Sequence, residues 1–174
     1  MKVSEIKTMI EYNHWANQRL LTKVKQLSQE EFSRRDQIGS SSIQQALLHI
    51  VDGENFWRMA AQTGQGPARR LTVEQLPDLE AVIDYWDQEA GRLSAYIAGL
   101  QEDELQSQFE YRWGISKPRQ WVRWQCLLHI VNHGTQHRGE IGLVLGQLDS
   151  SPGSLDLVTF ITRQAVKEKL KRKK

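Results

Sequence analysis

The 174-residue chain holds a single cysteine, Cys126, which excludes an internal disulfide. A chain without cross-links suits a reducing compartment, so a cytoplasmic location is the expectation. No apolar stretch approaches the roughly 20 residues that a membrane span needs. Residues 1–12 carry Glu5 and Glu11 and lack the compact apolar segment of a signal peptide, so none is expected. Only four prolines are present, at 67, 77, 118 and 152. They fall in breaks between long periodic segments, which leaves those segments free to be helical.

Charge of one sign is also scarce over most of the chain. The formal net charge is +2, but residues 167–174 hold six of the 23 basic residues and one of the 21 acidic ones. The remaining 17 and 20 leave the body at −3. A nucleic-acid reader carries its basic residues on a face of the fold. A short Lys-rich end reads as a solvated terminus, so no nucleic-acid partner is expected. The reading is one domain over 1–166 with a basic tail over 167–174.

What is present is helical period. Val3, Ile6, Met9, Ile10, Leu20, Leu21, Val24 and Leu27 recur mostly at steps of three and four, predicting a helix over 3–27. Ser28 to Glu31 and Ser42 to Gln45 read as capping boxes, the first opening a short turn and the second a helix to about Gln62. Residues 63–77 form a long connection, uncommon unless it covers or borders something. Asp78 caps a third long helix to about residue 100. Phe109 to Trp113 alternates like a short strand, with Gly114 as its turn. A fourth long helix runs from Gln120 to Leu148, and Ser154 caps a last one over about 155–170. The fold predicted is all-α: an up-and-down four-helix bundle with an additional C-terminal helix and a short strand-like insertion before the fourth long helix.

Five histidines stand out: His14, His49, His129, His133 and His137. The last three are spaced i, i+4 and i+8 on the fourth long helix. Imidazoles four apart lie on one face, about 6 Å apart along the axis, and can converge on one ion at about 2.0–2.1 Å each. Residues eight apart are about 12 Å apart and cannot. The pair is therefore His129 with His133 or His133 with His137, and spacing alone does not choose. An isolated pair of this kind is ordinarily a surface or hydrogen-bonded feature. Here it sits among Cys126, Leu127, Leu128, Ile130 and Val131, and buried imidazoles need partners. A third ligand must come from another helix, and His49 sits mid-helix in an apolar context.

Three blocks carry a resemblance: Tyr12 to Leu21 (YNHWANQRLL), Leu47 to Trp57 (LLHIVDGENFW) and His129 to Ile141 (HIVNHGTQHRGEI). In order and spacing they resemble the DinB-like superfamily of four-helix-bundle metalloenzymes, related to bacillithiol- and mycothiol-dependent transferases. The final block is the most specific. Ser151 to Leu157 also resembles the family's loop into its last helix. The resemblance implies metal ligands at His49, His133 and His137, leaves His129 a neighbour, assigns no role to His14, and favours a homodimer.

Three neutral imidazoles leave a divalent ion its full charge and an open position, as in catalytic zinc sites. The set suits Zn or Ni, and also Fe or Cu. Two chemistries follow. Water can be activated for hydrolysis, or a small thiol can be deprotonated and presented to an electrophile. The resemblance favours the second, a thiol S-transferase in detoxification or stress response. The alternatives are a hydrolase on the same three histidines and a non-enzymatic metal-binding or interaction protein. DNA binding draws only on the family's induction by DNA damage, which is regulation rather than mechanism.

No general base stands out. Asp52, three after His49, shares its face and could orient its ring. Glu54, Glu140 and Arg138 read as solvated, capping or salt-bridging charges, and Cys126 as a small core residue. Trp121 and Trp124 are candidates to line a pocket mouth or a dimer contact.

Overall fold

The computed structural model describes residues 1–35, 38–112 and 117–171. The strand end at Trp113, the turn at Gly114 and the last three residues of the basic tail lie outside them. Seven helices are described: α1 (Val3–Val24), α2 (Gln29–Ser33), α3 (Ile43–Thr63), α4 (Leu79–Gly99), α5 (Glu102–Gln106), α6 (Arg123–Gln147) and α7 (Leu157–Lys171). Two strands, β1 (Gln108–Tyr111) and β2 (Arg119–Val122), pair antiparallel, with Phe109 opposite Trp121.

Local chemistry sets most helix starts. Ser28 and Ser42 accept hydrogen bonds from the Glu31 and Gln45 backbone N–H groups, and both capping boxes close. Asp78 accepts from Ala81 N–H at 2.9 Å. Each such cap contributes about 1 kcal/mol. Three boundaries differ from the sequence reading. The helix read over 3–27 ends at Val24, with residues 25–26 in a turn. Residues 119–122 extend the periodic segment of α6 but are spent on pairing with β1, so the helix begins at Arg123. At α7 the cap is Asp156, whose Oδ1 accepts from Val158 N–H, while Ser154 Oγ accepts from Asp156 N–H.

The four long helices pack as α1 against α4 and α6, and α3 against α4 and α6. Cross-helix contacts give their directions. Asp87 meets Gln18 while Ser94 and Ile97 lie beside Lys7 and Ile10, so α4 runs opposite to α1. Trp86, Glu89 and Tyr96 meet Glu54, Arg58 and Ala61 in turn, so α4 runs parallel to α3. Thus α1 and α6 point one way, α3 and α4 the other. Parallel neighbours joined in sequence require a return along a helix about 30 Å long, which explains the long link over 64–78. That link is tied down: Asp52 accepts from Arg70 Nε and from Leu71 N–H, and Gln44 Nε2 donates to Pro77 O at 2.8 Å.

The core divides into two apolar clusters. One gathers Ile6, Ile10, Ala60, Leu93, Ile97, Leu127 and Ile130; the other gathers Leu20, Leu47, Ile50, Val82, Trp86, Ile141 and Leu145. Each fully buried aliphatic side chain contributes about 1.5–3 kcal/mol. Between the clusters, all four long helices contribute to one polar layer. Glu54 accepts from Asn13 Nδ2, Asn17 Nδ2 and Trp86 Nε1, while Arg138 donates to both asparagines. Buried polar groups are tolerated when their hydrogen bonds are made. No described helix is long and apolar enough to cross a membrane.

Candidate metal centre

The site is built where α3 and α6 face each other. On α3, His49 follows Leu47 and Leu48, which are buried in the core, so its own side chain is left at the helix's outer edge. On α6, burial of Ile130, Val131 and Ile141 turns His133 and His137 toward α3, half-buried. Ring centroids stand 4.8 Å apart for His49 and His133, 4.7 Å for His49 and His137, and 4.6 Å for His133 and His137. Each ring can offer one nitrogen such that all three lie within 4.8 Å of one another.

His129 does not join this group. Its ring lies 5.7 Å from that of His133 but packs on Trp57 at 5.0 Å and Trp121 at 6.0 Å. Of the two pairs left open by spacing, the structure brings His133 and His137 to His49. His14 lies apart on α1, its Nε2 buried without a hydrogen-bond partner.

The donor chemistry fits a divalent ion. Metal-binding imidazoles must be neutral. Burial, followed by the neighbouring histidines, pushes His133 down from 6.5 to about 4. Burial, then His137 and the Arg70 guanidinium, lowers His49. His49 Nε2 and His133 Nε2 are 3.1 Å apart. Two nitrogens at about 2.0–2.1 Å from one tetrahedral ion sit about 3.3 Å apart. His137 Nδ1 lies 2.7 Å from Glu140 Oε2, which leaves its Nε2 for the shared point. A carboxylate on the far nitrogen fixes ring orientation and tautomer and raises basicity. Three protein donors form a cluster able to coordinate one divalent metal.

Asp52 does not take the ring-orienting role that its spacing suggested. Its carboxylate is used by Arg70 and Leu71, so it anchors the 64–78 link beside the histidines instead. The orienting carboxylate is Glu140, and spacing did offer it, three residues after His137. Glu54 and Arg138, read as surface or bridging charges, are 1% exposed each. Burial pushes the Glu54 carboxyl up against three hydrogen bonds and the Arg138 charge, which pull it down. A Cβ at Gly134 would sit 2.5 Å from an Arg138 nitrogen and 2.9 Å from Asn13 Oδ1, so a residue without a side chain admits the guanidinium. The i, i+4 spacing of Asn13 and Asn17 on the apolar stripe of α1 was the signal for this layer.

Cys126 is buried, donates to Trp57 O at 3.4 Å, and has its thiol pushed up to about 12 by burial. Trp121 lies on β2, stacked on Trp57 with ring centroids 5.1 Å apart, and Trp124 opens α6. Both line a groove of about 440 Å³ with Gln120, Gln125, Leu128, His129 and Asn132. A larger groove of about 660 Å³, bordered by Met9, Tyr12, Val131 and Leu157, adjoins it at Leu128 and Asn132; neither groove includes the three clustered histidines.

A helical bundle with three imidazoles converging from two of its helices defines a protein with a candidate metal centre. The chain belongs to the DinB family, whose profile matches residues 1–170. It is 31% identical over 162 residues to Protein DinB of Bacillus subtilis (strain 168), covering 89% of this chain and 94% of that protein.

Proposed function

We propose that this protein is a metal-dependent enzyme that joins a low-molecular-weight thiol to an electrophile. His49, His133 and His137 hold one divalent transition-metal ion, zinc or nickel before iron or copper. The observation that carries this reading is the donor set, three imidazoles within 4.8 Å with no fourth protein donor in the group among the described residues. Structural zinc sites are usually closed by four protein ligands, while catalytic ones keep a position open. The ion, when bound, would supply Lewis-acid activation of a thiol. The protein's own groups supply the rest. Glu140 holds the His137 ring, and Arg70, paired with Asp52, anchors the 64–78 link beside His49. The groove bordered by Trp121, Trp124 and His129 is lined by none of the three ligands, but its His129 ring lies 5.7 Å from that of His133, and it would offer an uncharged wall for the electrophile. The thiol follows from the resemblance to bacillithiol- and mycothiol-dependent transferases, as does assembly as a homodimer; a cytoplasmic location follows from the lone cysteine.

The test is conjugation of cysteine or N-acetylcysteine to 1-chloro-2,4-dinitrobenzene, with protein loaded with Zn or Ni and with His133→Ala as control. Metal-dependent product above the uncatalysed rate, lost in the variant, supports the reading. Metal bound at one per chain with no conjugation across several thiols and electrophiles counts against transferase chemistry. Turnover of an ester with water alone would favour hydrolysis instead.

A further inference from the structure

The facing surfaces of α3 and α6 meet in three rungs. His49 lies against His137, with ring centroids 4.7 Å apart, and Trp57 against His129 at 5.0 Å. These residues are one helical turn to either side of Gly53 on α3 and of His133 on α6. The middle rung is therefore Gly53 against His133, and it has no room for a side chain. A Cβ at Gly53 would lie 2.9 Å from His133 Cε1 and 3.1 Å from its Nδ1, inside the ~3.5–4.0 Å of ordinary contact. The imidazole cannot simply slide along its own helix face, because the rings of His129 and His137 stand at 5.7 and 4.6 Å on either side.

Glycine in the interior of a 21-residue helix is otherwise unfavourable relative to alanine. Nothing in the backbone of α3 requires it, since among the described residues the positive-φ glycines are Gly39, Gly64 and Gly153. We propose that Gly53 is a positioning residue for the metal. Its missing side chain lets the Cε1–Nδ1 edge of the His133 ring come up against α3, so that His133 Nε2 reaches the point it shares with His49 Nε2. This inference rests on the metal reading of the cluster. It adds that the ligand geometry is set by a residue with no donor atom, on the helix opposite the ligand it controls.

The experiment is a Co(II) titration of the full-length wild type, Gly53→Ala and the control Gly91→Ala, whose added Cβ meets nothing within 4 Å. Visible absorption reports both affinity and coordination geometry. The expected result is Co(II) binding weakened by at least about 10-fold in Gly53→Ala, as for residues that orient ligands, with altered visible bands and no change in Gly91→Ala. Wild-type affinity and wild-type bands in Gly53→Ala would overturn the proposal. No Co(II) uptake by the wild type would instead sink the metal reading, and the positioning role with it. If Gly53→Ala fails to fold, the melting temperatures of His133→Ala and Gly53→Ala/His133→Ala decide. With the imidazole gone, alanine at 53 should raise the melting temperature. A fall there would mean that something other than His133 excludes the side chain, and would overturn the proposal.

Discussion

Glu54 and Arg138 share two carboxamides. Asn13 gives a hydrogen to Glu54 Oε1 at 2.7 Å and takes one from Arg138 on its Oδ1 at 2.6 Å; Asn17 repeats the arrangement at 2.9 and 2.8 Å. An acid and a base are thus held in the middle of the bundle by a bridge whose two ends have opposite polarity. Every donor aimed at Glu54 requires an acceptor there. Glu54→Gln keeps the shape but turns one acceptor into a donor facing either Trp86 Nε1 or the asparagine amides. Urea denaturation should show a loss of about 1–3 kcal/mol, the usual cost of a buried group left unsatisfied. Asn17→Ala should cost a similar amount, since it strips a partner from both ends at once. A loss below about 0.5 kcal/mol in both would mean that water repairs the layer.

The histidines on α6 separate by what they touch. His133 and His137 converge with His49, whereas His129 lies against Trp57 and Trp121. Metal analysis of protein purified without tag or chelator should find about one ion per chain in the wild type. His129→Ala should retain it, and His133→Ala should lose it. Loss in His129→Ala together with retention in His137→Ala would reverse the choice of pair.

How far the sequence could carry this follows from the range of each signal. Caps at Ser28, Ser42 and Asp78 were legible because a cap is closed within three residues of chain. The strand at Arg119–Val122 was not, because Trp121 and Trp124 continue the apolar period of α6 and only the partner strand distinguishes them. Helix direction was equally hidden. Period shows that α3 and α4 are helices, but their parallel course is decided by which side chains meet across the bundle. For the site, spacing reduced three histidines to two alternatives, and resemblance pointed to one. Glu54 was misjudged because a charge in an apolar stripe gives no sign of burial until its partners on other helices are seen, whereas Arg138, read as bridging to another helix, does bond to Asn13 and Asn17 of α1.

Glu140 touches the site through His137, its Oε2 2.7 Å from His137 Nδ1. Removing its carboxylate leaves all three imidazoles in place but frees one ring to rotate and to change tautomer. Glu140→Ala should therefore keep the fold and the one-to-one stoichiometry while weakening Zn affinity by about 10–100-fold. Competition with a chromogenic chelator measures this directly. Glu140→Gln, which can still accept a hydrogen bond, should recover part of the loss. Equal affinity in all three proteins would show that the 2.7 Å contact has no influence on the ring.

His14 links stability to pH. Burial lowers its pKa from 6.5, against smaller opposing effects from Glu11 and Glu89. The folded protein therefore binds fewer protons than the unfolded chain once the pH drops below about 6.5. The stabilisation is present above that value and is lost as the pH falls through the folded-state pKa. His14→Gln cannot titrate. In chelator-treated samples, its stability should fall less steeply between pH 6.5 and 5 than that of the wild type. Parallel slopes would mean that His14 titrates alike in both states.

Cys126 offers a clock for opening of the bundle. Its side chain is fully buried in the cluster formed by Leu127, Ile130 and Ala60, and burial pushes its pKa up to about 12. At pH 8 only about one thiol in 10⁴ would be ionised, and the thiolate is the reactive form. Two barriers therefore protect it, a shortage of thiolate and a lack of access. Unfolding removes both. A disulfide reagent such as 5,5′-dithiobis(2-nitrobenzoate) should leave the native protein unmodified over minutes and titrate one thiol per chain at once in denaturing urea. The slow native-state reaction should then track global stability, and Glu54→Gln should accelerate it in proportion to its loss of stability. Rapid native labelling, unaffected by that substitution, would place Cys126 near a local opening at the end of α3 or the start of α6 rather than in the cooperative core.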